Sequence, residues 1–175
     1  AGSELTAGTK TNIALTNAPA LVSGAIYTVA FTCTDAAGNA ATAVSSTNVT
    51  FDTTLPVITV TSPTSSSSVA STAVNYSNSE ICQSGSITWT RTGGSADSGG
   101  SPAGTHTQAL TGAELNAGAF TGSITNNPTL ADGAIYSVAF NCTDRAGNVA
   151  TTVTRTAVTY SPGPLQIVTG ETLDT

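Results

Sequence analysis

Few side chains in this 175-residue chain are equipped for chemistry, and their spacing narrows what that chemistry is. The single histidine, His106, closes a polar stretch from Gly93 that shows no periodicity. It has no second imidazole with which to share a metal, and no Cys-x-x-Cys pair is present, so neither a zinc site nor a catalytic triad is expected. His106 reads as a solvated loop residue. Four basic residues, Lys10, Arg91, Arg145 and Arg155, stand against a net charge of -6 and cannot build a nucleic-acid track. The acids are more informative. Asp35-Ala36-Ala37-Gly38-Asn39 and Asp144-Arg145-Ala146-Gly147-Asn148 are turn sequences, in which Asp accepts backbone N–H groups and Gly or Asn supplies a positive φ. The same carboxylates are hard ligands, and the one cofactor to consider is calcium at the junction, held by Asp52 with Asp35 or with an acid of a neighbouring module. Such a site needs about six to eight oxygens, and few acids stand nearby.

The elements that hold these residues are repeated. Residues 21 to 39, LVSGAIYTVAFTCTDAAGN, and residues 130 to 148, LADGAIYSVAFNCTDRAGN, agree at 14 of 19 positions with an offset of 109. Glu4-Leu5 and Ala7-Gly8 match Glu114-Leu115 and Ala117-Gly118, and Val49 and Phe51 match Val158 and Tyr160. The phase of this repeat predicts three pieces: the C-terminal half of one module in 1–51, a complete module in 52–160, and a linker with the start of a following module in 161–175. Pro164 to Thr169 loosely echoes Pro56 to Thr61. A chain that opens Ala-Gly-Ser-Glu rather than with Met is expected to be a processed or excised piece of something longer.

Composition agrees with folded β-structure. With 39% hydrophobic, 5% aromatic and 8% charged residues, and apolar residues in short bursts, the chain is neither collagen-like, coiled coil nor disordered. Its apolar runs are too short for a membrane helix, and no signal peptide is visible. Period-2 alternation predicts strands over Val57 to Ser62, Ser71 to Tyr76, Ser86 to Thr92, Ala119 to Ile124, Ile135 to Thr143 and Val149 to Tyr160. Tyr136, Val138, Phe140 and Cys142 share one face of the clearest strand, and Tyr27, Val29, Phe31 and Cys33 repeat it. Trp89, Tyr27 and Tyr136 are the expected core aromatics, with Ile87 beside Trp89.

The pattern L-x-x-G-x-x-Y-x-V-x-F-x-C-T-D-x-A-G-N, followed by Phe51-Asp52-Thr53-Thr54-Leu55-Pro56, resembles the bacterial immunoglobulin-like repeats of large secreted surface proteins. The resemblance implies an all-β fold of tandem immunoglobulin-like β-sandwich modules. The second junction, Tyr160-Ser161-Pro162-Gly163-Pro164, departs from it by losing the Asp. Tyr136, four residues after Asp132, is placed like the tyrosine corner of such folds, and Trp89 like their core aromatic. In such a sandwich Cys82 and Cys142 fall at the same end, which makes a disulfide between them reasonable; two buried thiols are the alternative. The bond would contribute on the order of 3 to 4 kcal/mol and imply an oxidising location. Cys33, the counterpart of Cys142, is then unpaired or intermolecular.

No enzyme is expected. The leading expectation is a structural or adhesive segment of an extracellular bacterial fibre or surface protein, with end-to-end modules forming a stalk or filament. Its partners are neighbouring modules or subunits of the same protein, and host, prey or matrix surfaces. Nucleic acid and membrane insertion are not expected. The incomplete first module is open to completion by another subunit at a sheet edge. The alternatives are a spacer or carbohydrate-binding appendage of a secreted enzyme, and a phage tail or capsid decoration module.

Overall fold

Alternation of apolar with small polar residues commits a segment to a strand with one dry face, as in Ile58–Ser62, Val74–Asn78 and Ala134–Thr143. The computed structural model describes residues 3 to 163, so the expected start of a following module at Pro164 to Thr169 lies outside the described residues. The chain divides between Thr54 and Leu55 into two compact units. The first holds a short 3-10 turn at Ser3–Leu5 and a hairpin of β1 (Ile26–Phe31) and β2 (Val44–Thr50). The second holds β3 (Ile58–Ser62), β4 (Ser68–Val69), β5 (Val74–Asn78), β6 (Ser84–Gly94), β7 (Thr105–Ala109), β8 (Gly118–Gly122), β9 (Ala134–Thr143) and β10 (Val153–Tyr160). A 3-10 turn at Gly112–Leu115 precedes β8.

The protein is therefore all-β, and its second unit is β-sandwich-like. A five-stranded sheet runs in the order β4-β10-β9-β6-β7 and a three-stranded sheet in the order β3-β5-β8. All ladders are antiparallel except β10 with β4. Between the sheets lies one core, to which the larger contributes Ile87, Trp89, Tyr136, Val138, Phe140 and Val158, and the smaller Ile58, Val60, Val74 and Tyr76. Aromatic packing knits it together. Trp89 meets Tyr136 edge-on at 6.0 Å between ring centroids, and Tyr76 sits 5.4 Å from Phe120 and 5.9 Å from Phe140.

Sequence and structure differ in several places, each for a local reason. The stretch expected as one long loop contributes the end of β6 up to Gly94 and the start of β7 at Thr105, so His106 is a strand residue. Its polar sequence, Thr-His-Thr-Gln-Ala, concealed a strand that is hydrogen-bonded along only one edge, to β6. The second expected strand begins at Val74 rather than Ser71, the fourth ends at Gly122, and the last begins at Val153 rather than Val149.

Candidate functional site

The two units contain the same hairpin. β1 pairs with β2 from Ile26↔Thr50 to Phe31↔Val44, and β9 pairs with β10 from Ile135↔Thr159 to Phe140↔Val153, every pair shifted by the repeat offset. The register slips at the same place in both, between Tyr27 and Val29 and between Arg155 and Val158. Asn48 and Ala157, at equivalent positions in these bulges, both carry a positive φ, 58° and 54°. Even the tyrosine contact recurs: the Val22 N–H donates to the Tyr27 hydroxyl at 2.8 Å, and the Ala131 N–H to the Tyr136 hydroxyl at 3.0 Å.

The hairpin loops are held by their aspartates. The Asp35 carboxylate accepts the backbone N–H groups of Ala37 at 2.9 Å and Asn39 at 2.8 Å, and the Asn39 side-chain amide at 2.8 Å. These bonds, the Asn39 side chain foremost, hold its carboxyl below the ordinary range. Asp144 accepts the Asn148 backbone and side-chain amides at 2.8 Å each. Burial alone would raise the Asp144 carboxyl, and its bonds from the loop, Asn148 first, outweigh that. Gly38 and Gly147 complete the turns with φ of 91° and 94°, a region open to glycine.

Asp35 and Asp52 do not come together. Asp35 lies in the loop after β1 and Asp52 beyond the end of β2, at opposite ends of an antiparallel hairpin. Asp52 instead accepts the Thr54 N–H at 2.9 Å and the Ser23 hydroxyl at 3.2 Å. One ion cannot be shared by this pair, because the ladder that aligns the strands also separates their ends.

The polar cluster of the second unit centres on an acid that the sequence did not single out. Asp97 accepts the Tyr136 hydroxyl at 2.6 Å, bonds His106 Nε2 at 2.8 Å and accepts the Gly99 N–H at 2.9 Å. The side chains of His106 and Asp97 are both buried, which overturns the reading of His106 as a solvated loop residue. Burial would raise the Asp97 carboxyl, but the Tyr136 and His106 bonds outweigh it and hold it low. Burial, then the bond to Asp97, pushes the Tyr136 hydroxyl up to about 12. The effect is a strut that pins the β6–β7 connection to β9. Beside it opens a cleft lined by Ser98, Gln108, Asn127 and Pro128 among others. A second buried acid, Glu114, accepts the Thr111 N–H at 2.6 Å and the Thr125 N–H. The Thr-x-x-Glu spacing of a capping box was the available signal for it.

The cysteines divide as their surroundings dictate. Cys82 and Cys142 form a disulfide with 5.7 Å between Cα atoms, and Cys33 is a free, exposed thiol. Trp89 and Tyr136 are buried, whereas Tyr27 is half-buried, the first unit holding a single two-stranded sheet among its described residues. No protein-family model matches this chain, and no curated protein does.

Proposed function

We propose that this chain is a structural or adhesive segment of an extracellular bacterial fibre or surface protein, built from immunoglobulin-like modules repeated end to end. The observation that carries the reading is the duplicated hairpin, which keeps ladder register, bulge, positive-φ residue and Asp-anchored turn across an offset of 109 residues. Duplication at this fidelity suits a protein whose task is to extend a chain of like modules. The two-sheet architecture of the second unit, its tyrosine bonded near the start of β9 and its buried Trp89 support the immunoglobulin-like assignment. The Cys82–Cys142 bond favours an oxidising, non-cytoplasmic setting. No helix among the described residues is long and apolar enough to cross a membrane.

Immunogold electron microscopy of the producing cells, with an antibody raised against the second unit, tests the reading. Gold aligned along surface fibres or the cell envelope is the expected result. Gold confined to the cytoplasm overturns it, and gold on virions or co-purification with a hydrolase transfers the module to the phage or appendage reading.

A further inference from the structure

Strand β7 is polar on the side that faces the core in its neighbour. His106 stands opposite Trp89 in the ladder and Gln108 opposite Ile87, so all four side chains share one face of the sheet. On β6 that face is dry, with Trp89 1% and Ile87 0% exposed. On β7 it carries an imidazole and an amide, and neither belongs to the apolar cluster. A polar side chain turned toward a core needs either a partner or a wet space. His106 has its partner in Asp97, whereas Gln108 lines a cleft of about 440 Å³ between residues 96–100 and 127–131. That volume lies within the range of about 300 to 1,000 Å³ typical of small-ligand sites.

Both walls of this cleft are fixed by hydrogen bonds. Asp97 anchors the first wall, and the Gly104 N–H donates to the Gly99 carbonyl at 2.7 Å behind it. In the second wall Glu114 accepts the Thr125 N–H, and the Asn126 side-chain amide donates to the Ala109 carbonyl at 2.9 Å. The Thr72 hydroxyl donates to Asn127 Oδ1 at 2.6 Å. Tyr136 joins the two walls, since its hydroxyl accepts the Ala131 N–H at 3.0 Å and donates to Asp97 at 2.6 Å. Walls pinned in this way hold their groups in place before a ligand arrives, which lowers the entropic cost of binding.

The chemistry of the lining selects the ligand. The Ser98 hydroxyl, the Gln108 amide, Asn127 Nδ2 and His106 Nδ1 have no hydrogen-bond partner among the described residues. Pro128, Leu130 and Ala131 supply the apolar part of the lining. No lysine or arginine lines the cleft, so a phosphate, sulfate or carboxylate finds no counter-charge beyond an imidazole already paired with Asp97. A cation fares no better, because Asp97, the one acid in the lining, already makes three hydrogen bonds. A wholly apolar ligand would strand the two amides. A sugar ring suits both parts: its adjacent hydroxyls donate and accept together, as carboxamides do, and its C–H face packs on apolar surface. We propose that this cleft binds a neutral saccharide ring, with Gln108 and Asn127 bonding adjacent hydroxyls and Pro128 and Leu130 against the C–H face. The inference goes beyond the fibre reading, which is carried by the duplicated hairpin and not by the cleft.

The test titrates methyl glycosides of glucose, galactose, mannose and N-acetylglucosamine into the isotope-labelled full chain and follows its NMR shifts. The expected result is a saturable response to at least one glycoside, confined to residues 96 to 108 and 127 to 131. Asn127→Asp keeps the oxygen that Thr72 bonds and removes the Nδ2 donor, and it should weaken binding about tenfold, as should Gln108→Ala. An unfolding midpoint unchanged by each substitution, read from Trp89 fluorescence, separates lost binding from lost fold. A disaccharide ending in the same sugar that binds equally well identifies glycan ends as the source, and one that is excluded identifies the free sugar; the saccharide assignment holds in both. No saturable shift with any glycoside at its solubility limit overturns the proposal, as does binding that both substitutions leave unchanged. A larger response to N-acetylalanine methylamide, which offers amide hydrogen bonds without a ring of hydroxyls, gives the cleft to peptide segments and overturns it too. Surface gold labelling together with a silent cleft would remove this inference and leave the fibre reading standing.

Discussion

Asp97 shows how a residue can carry weight that its sequence neighbourhood conceals. It sits among Gly, Ser and Ala in a segment without periodicity, and its partner Tyr136 lies 39 residues away in the chain. The tyrosine was legible, because it opens a strong alternating strand. Its acceptor was not, since nothing in a Gly/Ser-rich stretch announces which carboxylate folds back. The consequence is measurable as acid sensitivity. In the unfolded chain an aspartate titrates near about 3.9, whereas the folded Asp97 carboxyl is held lower by its Tyr136 and His106 bonds against the opposing effect of burial. The unfolded state therefore takes up a proton first as pH falls, so this contribution to stability is present above about pH 4 and is lost as pH drops through the folded value. Asp97→Asn should flatten that part of the acid limb of a urea-midpoint profile. At neutral pH it should cost about 1 to 3 kcal/mol, because Oδ2 serves Tyr136 and His106 while Oδ1 accepts the Gly99 N–H, and an amide offers one accepting oxygen for the two positions. An unchanged acid limb would show that Asp144 and Glu114, also held low by hydrogen bonds, carry the whole effect.

Strands were legible where they alternate and illegible where glycine or polar residues occupy them. The sequence Ser-Ile-Thr-Trp-Thr-Arg-Thr marked the middle of β6, but Ser84, Gly85, Gly93 and Gly94 extend it at both ends. Glycine is depleted in strands and reads as a turn, although here close packing requires it. A Cβ on Gly85 would lie 2.8 Å from the Asn141 carbonyl oxygen of β9 and 3.1 Å from Leu110. The first obstacle is backbone in the neighbouring strand and cannot rotate away. Gly85→Ala should therefore push β6 from β9 next to the disulfide and destabilise the second unit by about 1 to 3 kcal/mol. Chemical denaturation followed by Trp89 fluorescence measures this, and a cost below about 0.5 kcal/mol would mean that the ladder yields there. The hairpin of β1 and β2 supplies the converse lesson: its alternation correctly marked a strand, but alternation names the dry face without saying whether anything is present to dry it.

At the scale of the molecule, the chain divides into two compact units whose apolar residues differ sharply in burial. A core needs two layers, and among the described residues the second unit holds both. Within it the disulfide ties the β5–β6 connection, which carries Cys82, to β9 of the larger sheet, which carries Cys142. Closing a loop with a sequence separation of 60 residues constrains the unfolded chain by about 4 kcal/mol in the chain-entropy account. The single tryptophan, Trp89, lies in that unit and reports on it alone. Replacing both Cys82 and Cys142 with Ala should lower its unfolding free energy by about 2 to 5 kcal/mol, with a cooperative transition retained because the aromatic core is untouched. Amide exchange in residues 26 to 50 should not change, because the disulfide lies outside the first unit. That pair of measurements separates the units energetically: exchange in the first hairpin that rises together with the loss of Trp89 stability would show that the two fold as one cooperative body, whereas unchanged exchange would show that each unit's stability is set by its own contacts.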